Sequence, residues 1–333
     1  MDKKLIHAVA GSGKTRKIID DLDTSRRALI ITYTIKNQEE IRNRVYEKFD
    51  MIPENVHIFG LFQFLFNFCI KPTAKFPKVK SFILSNENHY GKYVSGDVFF
   101  SNMLSKWILD NYSEEGIAQR LEMFFDALYI DEFQDLTSYD FDLMLKLGMF
   151  SMNMKTWLLG DFYQKTYNSS NNGNKGVGVH QYYAQWVKAV NKSGYLIDNK
   201  SLVKSNRCPK AVCNFVKDKL GIAIESSLPY EGVIEFIEDK NKIDDLMKDN
   251  DIKKLFYQKY YDYDCNSLNW GESKGREFDR VCVVLNKNMC NIFDSGNFSK
   301  LASATKSKFY VACTRAKKEL YFVRESDVIN YKT

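Results

Sequence analysis

The ten residues "AVAGSGKTRK", Ala8–Lys17, restrict what this chain can fold into more than any other stretch. They follow an apolar strand-like run and open a helix, which is the setting a phosphate-binding loop requires. Within the turn formed by Ala8, Val9, Ala10, Gly11, Ser12 and Gly13, the two glycines let backbone amides face phosphate oxygens. Lys14 can reach the outer phosphates, and Thr15 can offer its hydroxyl to Mg²⁺. The first glycine usual in this pattern is Ala8 here, a small departure.

The strand before the loop is one of a series. "RALIITYT", "ALYIDEFQD", "TWLLGD", "GVIEFIE", "DRVCVVLN" and "ELYFVRE" are apolar runs rich in β-branched residues, with helically spaced segments such as "NQEEIRNRVYEKF" between them. That alternation predicts an α/β fold with parallel sheets and crossover helices. The stretch between "RALIITYT" and "ALYIDEFQD" breaks it and reads as a small helical insertion around 62–125. The polar connection near 190–205 marks the expected domain junction, giving a first domain over 1–198 and a second over 199–333.

"YIDEFQDL" sets Asp131 and Glu132 just past a hydrophobic strand, where adjacent carboxylates are costly to bury without a cation. Beside a phosphate loop they fit an Mg²⁺ holder, Asp131, and a base that positions attacking water, Glu132. The two motifs together point to nucleoside triphosphate hydrolysis.

Composition limits the remaining classes. With 44% hydrophobic and 27% charged residues and no apolar run near bilayer length, the chain reads as a globular protein without a membrane partner. "MDKKLIHAVAGSGKT" carries no leader-like segment, so a cytoplasmic location is expected. The seven cysteines lack a CxxC pair and read as reduced, buried thiols rather than a metal site. A formal charge of +6 favours a polyanionic partner, though base composition of a genome can produce the same excess.

The ordered motifs resemble the UvrD/Rep/PcrA group of superfamily-1 helicases, from residue 8 to about 323. "ITYTIKNQEEI", "DEFQD", "LLGDFYQKTY", "SNRCP", "ESKGREFD" and "YVACTRAKKEL" stand for motifs Ia, II, III, IV, V and VI. "GLFQFLFNFCIKP" and "NWGESKGREFDRV" are similar to compact solitary UvrD-like proteins of phage-defence or mobile-element contexts. The resemblance implies two RecA-like domains, ATP with Mg²⁺ in their cleft, and a single strand, DNA in the family, across the top. It implies that Gln164 reads the γ-phosphate, and that Arg207 and Arg315 stabilise charge on the transferring group. It also implies that Gly275 and Glu277 contact the nucleotide, with Glu277 at the ribose and Arg16 beside the base. On the strand side it implies Tyr33, Thr34 and Lys36, with Tyr167 stacking on a base.

Several departures from the group bear on what kind of motor to expect. The group's upstream adenine-reading glutamine segment has no counterpart before the loop, and Asn206 replaces a base-stacking Tyr. These leave strict ATP selectivity open. "NSS" follows Tyr167 where the group supplies an aromatic and an Arg, while Gly60 and Gly271 replace histidines. Trp186 and the Tyr182/Tyr183 pair could compensate or could simply pack in the core. The large insertion between motifs IV and V is expected to be reduced, around 210–262, and no nuclease domain is expected after motif VI. The expected activity is an ATP-dependent DNA helicase or single-strand translocase moving 3′ to 5′. The alternatives are a nucleic-acid-stimulated NTPase subunit regulating a partner nuclease or ATPase, and a non-catalytic binding module. DNA against RNA and the oligomeric state stay open.

Overall fold

Fully buried strands such as "ALIIT", Ala28–Thr32, can satisfy their backbone only inside a sheet covered on both faces. In the computed structural model, which describes residues 2–72, 79–85, 87, 92–166, 168–169, 176 and 178–333, they do so in two α/β units. The first holds Met1–His7, Lys14–Phe162 and Tyr167–Ser201, and the second holds Ala8–Gly13, Tyr163–Thr166 and Leu202–Thr333.

In the first unit the chain runs β1 (Lys3–Ala8), α1 (Lys14–Asp21), β2 (Ala28–Thr32), α2 (Ile35–Phe49) and β3 (Val56–Gly60). A single turn, α3 (Leu61–Gln63), passes into a π-helical stretch, Phe64–Ile70. Strands β4 (Ser81–Ile83), β5 (Val94–Ser95) and β6 (Val98–Phe100) form a small separate sheet in the order β4-β6-β5. Then come α4 (Leu104–Asn111), α5 (Glu114–Phe124), β7 (Ala127–Ile130), α6 (Ser138–Phe150), β8 (Lys155–Gly160), α7 (Tyr183–Lys192) and β9 (Leu196–Leu202). The main sheet has the order β3-β2-β7-β8-β1-β9. Its β2/β3, β2/β7, β7/β8 and β1/β8 pairs are all parallel. The insertion after β3 is therefore helical with an added three-stranded sheet.

Local chemistry sets these boundaries. The Thr34 side chain accepts the Asn37 amide to cap α2, and Asp50 ends that helix in the left-handed region at φ 57°. Ile41 and Val45, one turn apart, bury the helix against the sheet.

The second unit begins with β10 (Lys204–Ser205), α8 (Lys210–Leu220) and β11 (Glu225–Ser226), with β10 and β11 paired. It continues through β12 (Val233–Phe236), α9 (Lys240–Lys248), β13 (Ile252–Phe256), β14 (Ser267–Asn269), β15 (Phe278–Leu285), α10 (Lys287–Ser295), α11 (Ser303–Cys313) and β16 (Ala316–Arg324). The sheet order is β12-β16-β15-β13-β14, and every pair is parallel. Trp270, Phe309, Tyr310 and Phe322 anchor its core. All seven cysteines are free thiols, five of them buried, and Cys265 and Cys290 are partly exposed. Among the described residues no helix is long and apolar enough to cross a membrane.

Candidate nucleotide and nucleic-acid site

The strand-to-helix turn after β1 needs its glycines: Gly11 and Gly13 adopt φ 72° and 89°, where a side chain would be strained. Ser12 folds back, its amide and hydroxyl both donating to the Val9 carbonyl at 3.2 and 2.8 Å. Residues Ala8–Gly13 pack with the second unit, while Lys14 and Thr15 start α1 in the first.

Within the first unit, the loop's functional side chains meet the acids that follow β7. The Lys14 ammonium lies 3.4 Å from a Glu132 carboxylate oxygen, both nearly buried. Thr15 Oγ1 donates to Asp131 Oδ2 at 3.2 Å. Asp131 is 3% exposed, and burial, followed by the neighbouring Glu132 charge, raises its carboxyl above the ordinary range. Lys14 opposes that rise. Glu132 sits at φ 54°, turned so that its own amide caps Asp131 Oδ1 at 2.9 Å. A hydroxyl beside a buried carboxylate is a small oxygen donor set. It suits a hard dication whose remaining ligands are phosphate and water. Among the described residues there is no group of three or more His, Cys, Asp or Glu side chains able to hold a metal alone.

Gln134, absent from the sequence expectations, ties this acid loop to the next one. Its Nε2 donates to Glu132, and its Oε1 accepts the Asp161 amide at 3.0 Å. Gly160 leaves room for that contact, since a Cβ there would stand 2.7 Å from Gln134 Oε1. The only sequence signal was an amide inside "DEFQD", which periodicity does not flag.

In the second unit, Arg207 pairs with Glu277, and Gly275 turns at φ 75° just ahead of it. Arg315 is 1% exposed and donates to the carbonyls of Val311 at 2.9 Å and Arg276 at 3.0 Å. Burial, reinforced by the charge of Arg207, lowers it to about 9, so it remains a cation at neutral pH. Gln164 is buried in the short Tyr163–Thr166 segment grouped with this unit. Arg16, in contrast, is 78% exposed and reaches Asp20 at 3.6 Å. Asn206 stands at the position of the missing aromatic. Its amide donates to Gly11 O at 2.9 Å, and its Oδ1 accepts from Ser227 at 2.8 Å.

The expected strand-contact residues lie in the first unit around the start of α2. Tyr33 is half-buried, edge-on to Phe62 at 5.9 Å. Thr34 is spent on the helix cap, and Lys36 is exposed in the first turn. Tyr167 lies outside the described residues. At Gly60 a Cβ would stand 2.6 Å from Gln38 Nε2, so a larger side chain there would displace the tip of Gln38. Ser169 of "NSS" is fully buried. Its hydroxyl donates to Asp140 at 2.6 Å and accepts the Thr137 amide at 3.0 Å. Trp186 is buried against Phe133 and Phe162, which makes it core, while Tyr182 is 58% exposed.

The family model for the viral superfamily 1 RNA helicase core domain matches residues 106–324, more than half of the chain. The chain belongs to that family. It is thus a superfamily 1 helicase core, a nucleotide-binding class of protein. Its fold is shared with solved helicases at low identity. The arterivirus nonstructural protein 10 helicase superposes with TM-score 0.52 at 13% identity, covering 99% of this chain and 62% of its own. The same viral protein in complex with DNA gives 0.53 at 14%, covering 98% and 61%. A PRRSV helicase gives 0.51 at 12%, covering 97% and 52%. The helicase core therefore spans little more than half the length of these solved proteins. No curated protein matches the sequence.

Proposed function

We propose that this helicase core is an ATP-dependent DNA helicase or single-stranded DNA translocase. The observation that carries the reading is the double pairing in the first unit, Lys14 with Glu132 and Thr15 with Asp131. It sets the phosphate-loop cation beside the base and the metal-binding hydroxyl beside the carboxylate.

In this reading the Ala8–Gly13 loop wraps the phosphates with the Gly11 and Gly13 amides turned toward them, and Thr15 with Asp131 would hold Mg²⁺, which would supply positive charge to the phosphate oxygens. Glu132 orients the attacking water, and its bond from Gln134 fixes the carboxylate for that purpose. Arg207 and Arg315 stabilise the developing charge, a role worth about 10³–10⁵ in rate for an arginine finger. Glu277 leaves Arg207 for the ribose, Gln164 senses the γ-phosphate, and Gly275 and Arg16 complete the nucleotide contacts. We assign Tyr33, Lys36 and Tyr167 to contact with a single strand, with Thr34 contributing by capping the helix that carries Lys36; an aromatic contributes ~1–3 kcal/mol per stacked base. The DNA in one of the matched arterivirus structures supports a nucleic-acid ligand. Closer kinship with UvrD/Rep/PcrA, and with it 3′ to 5′ movement, rests on the motif residues themselves. The domains proposed are 1–198, with an insertion around 62–125, and 199–333, with a reduced insertion around 210–262, acting in the cytoplasm.

A specific observation favours a second reading, an NTPase subunit that regulates a partner nuclease with little unwinding. Ser169 is consumed by the fold in the segment where the group supplies an aromatic and an Arg for the strand. Strand displacement decides between them. A tailed DNA duplex incubated with Mg·ATP should be unwound from a 3′ tail by the isolated chain. Intact DNA-stimulated hydrolysis without displacement would select the regulatory reading.

A further inference from the structure

Three backbone groups of the phosphate loop are bound within the second unit. Val9 N donates to Leu202 O at 3.0 Å, and Gly11 O accepts from Asn206 N at 2.9 Å. Both are backbone contacts that many sequences could make. The third depends on one side-chain oxygen: Ala10 N donates to the Tyr310 hydroxyl at 2.8 Å, and both groups are buried.

Tyr310 is fully buried on α11, with its ring edge-on to Tyr163 at 6.2 Å. Its carbonyl accepts from the Thr314 amide at 3.0 Å and the Thr314 hydroxyl at 2.8 Å. That hydroxyl also accepts from Arg315 at 3.3 Å. One residue thus holds the loop with its side chain and the Arg315 segment with its backbone. The loop has no slack to absorb a change, because a Cβ at Gly11 would stand 2.8 Å from Ser205 Oγ and 2.6 Å from Arg207 Cβ.

We propose that Tyr310 is a positioning residue for nucleotide turnover, its hydroxyl fixing the phosphate loop in register with the segment that presents Arg315. The inference rests on the NTPase reading above. Removing the hydroxyl leaves a buried amide without its acceptor, which favours local rearrangement of the loop. The phosphate contacts of Lys14 and of the other loop amides do not pass through Tyr310. Loss therefore falls on the step that needs Arg315 aligned rather than on nucleotide capture.

Tyr310→Phe keeps the ring and removes only the acceptor. Tyr195→Phe is the matched control, since the Tyr195 hydroxyl is buried in the first unit with no hydrogen-bond partner among the described residues. In the full chain, Y310F should speed hydrogen exchange at the Ala10 amide of the nucleotide-free protein and lower kcat for ATP roughly tenfold. KM should stay within about twofold, as for an interaction that matters mainly in the transition state. Y195F should change neither reading. Unaltered Ala10 exchange, or a Y310F kcat equal to that of the parent, would overturn the proposal. A parent chain that hydrolyses no nucleotide would sink the NTPase reading and the turnover role with it, and exchange at Ala10 would still report whether the latch exists.

Discussion

Burial and the adjacent Glu132 hold the Asp131 proton more tightly in the folded chain than in the unfolded one. The sign follows from linkage. The carboxyl contributes most to stability below its ordinary value of 3.8, and that contribution is lost as pH rises through the raised folded value. At neutral pH an ionised Asp131 is then a cost, offset in part by Lys14, and a metal ion would relieve it. Asp131→Asn should therefore raise the Tm of the metal-free, nucleotide-free protein at pH 7 by about 2–4 °C, the shift that 1 kcal/mol produces in a unit of this size. It should also abolish Mg²⁺-dependent hydrolysis. Calorimetry without Mg²⁺ checks the first effect, and a lowered Tm would refute the cost assigned to Asp131. For the wild type, Mg²⁺ affinity should weaken as pH falls, because protonation removes the ligand.

At the scale of elements, α7 shows how an aromatic can be placed only once its neighbours are known. "YYAQWVK" offered Trp186 and two tyrosines as either core or strand contacts, and the helix turns Trp186 inward onto Phe133 and Phe162 while leaving Tyr182 outside. Trp186→Ala should cost about 3–5 kcal/mol in urea unfolding, the range for emptying a large aromatic site. Tyr182→Ala should stay within about 0.5 kcal/mol. Equal effects would contradict the assignment of the two faces. The main strands were legible because buried parallel strands need continuous β-branched runs, as in "ALIIT". The sheet β4-β6-β5 was not, since strands of two or three residues carry no measurable period. Ser169 was hidden for a different reason. Nothing local in "NSSNN" shows that one hydroxyl will reach Asp140 and Thr137, far away along the chain.

For the whole molecule, the order of motifs carried the helicase assignment, and residues adjacent in sequence carried most of the candidate nucleotide site. Lys14, Thr15, Asp131 and Glu132 could be named because Asp131 and Glu132 directly follow β7 and Lys14 and Thr15 open the helix after the glycine loop that follows β1, the edge where α/β sheets place ligands. Gln134 and Tyr310 could not, because their roles depend on backbone amides that tertiary structure brings to them. The same holds for the grouping of Ala8–Gly13 with the second unit. The central proposal is that this helicase core turns over nucleotide in response to a nucleic-acid strand. Steady-state ATP hydrolysis, measured with and without single-stranded DNA for the wild type and Lys14→Ala, tests it most directly. The account predicts hydrolysis that single-stranded DNA stimulates and that Lys14→Ala abolishes. Hydrolysis that is absent, indifferent to the strand, or retained without the Lys14 ammonium would contradict it.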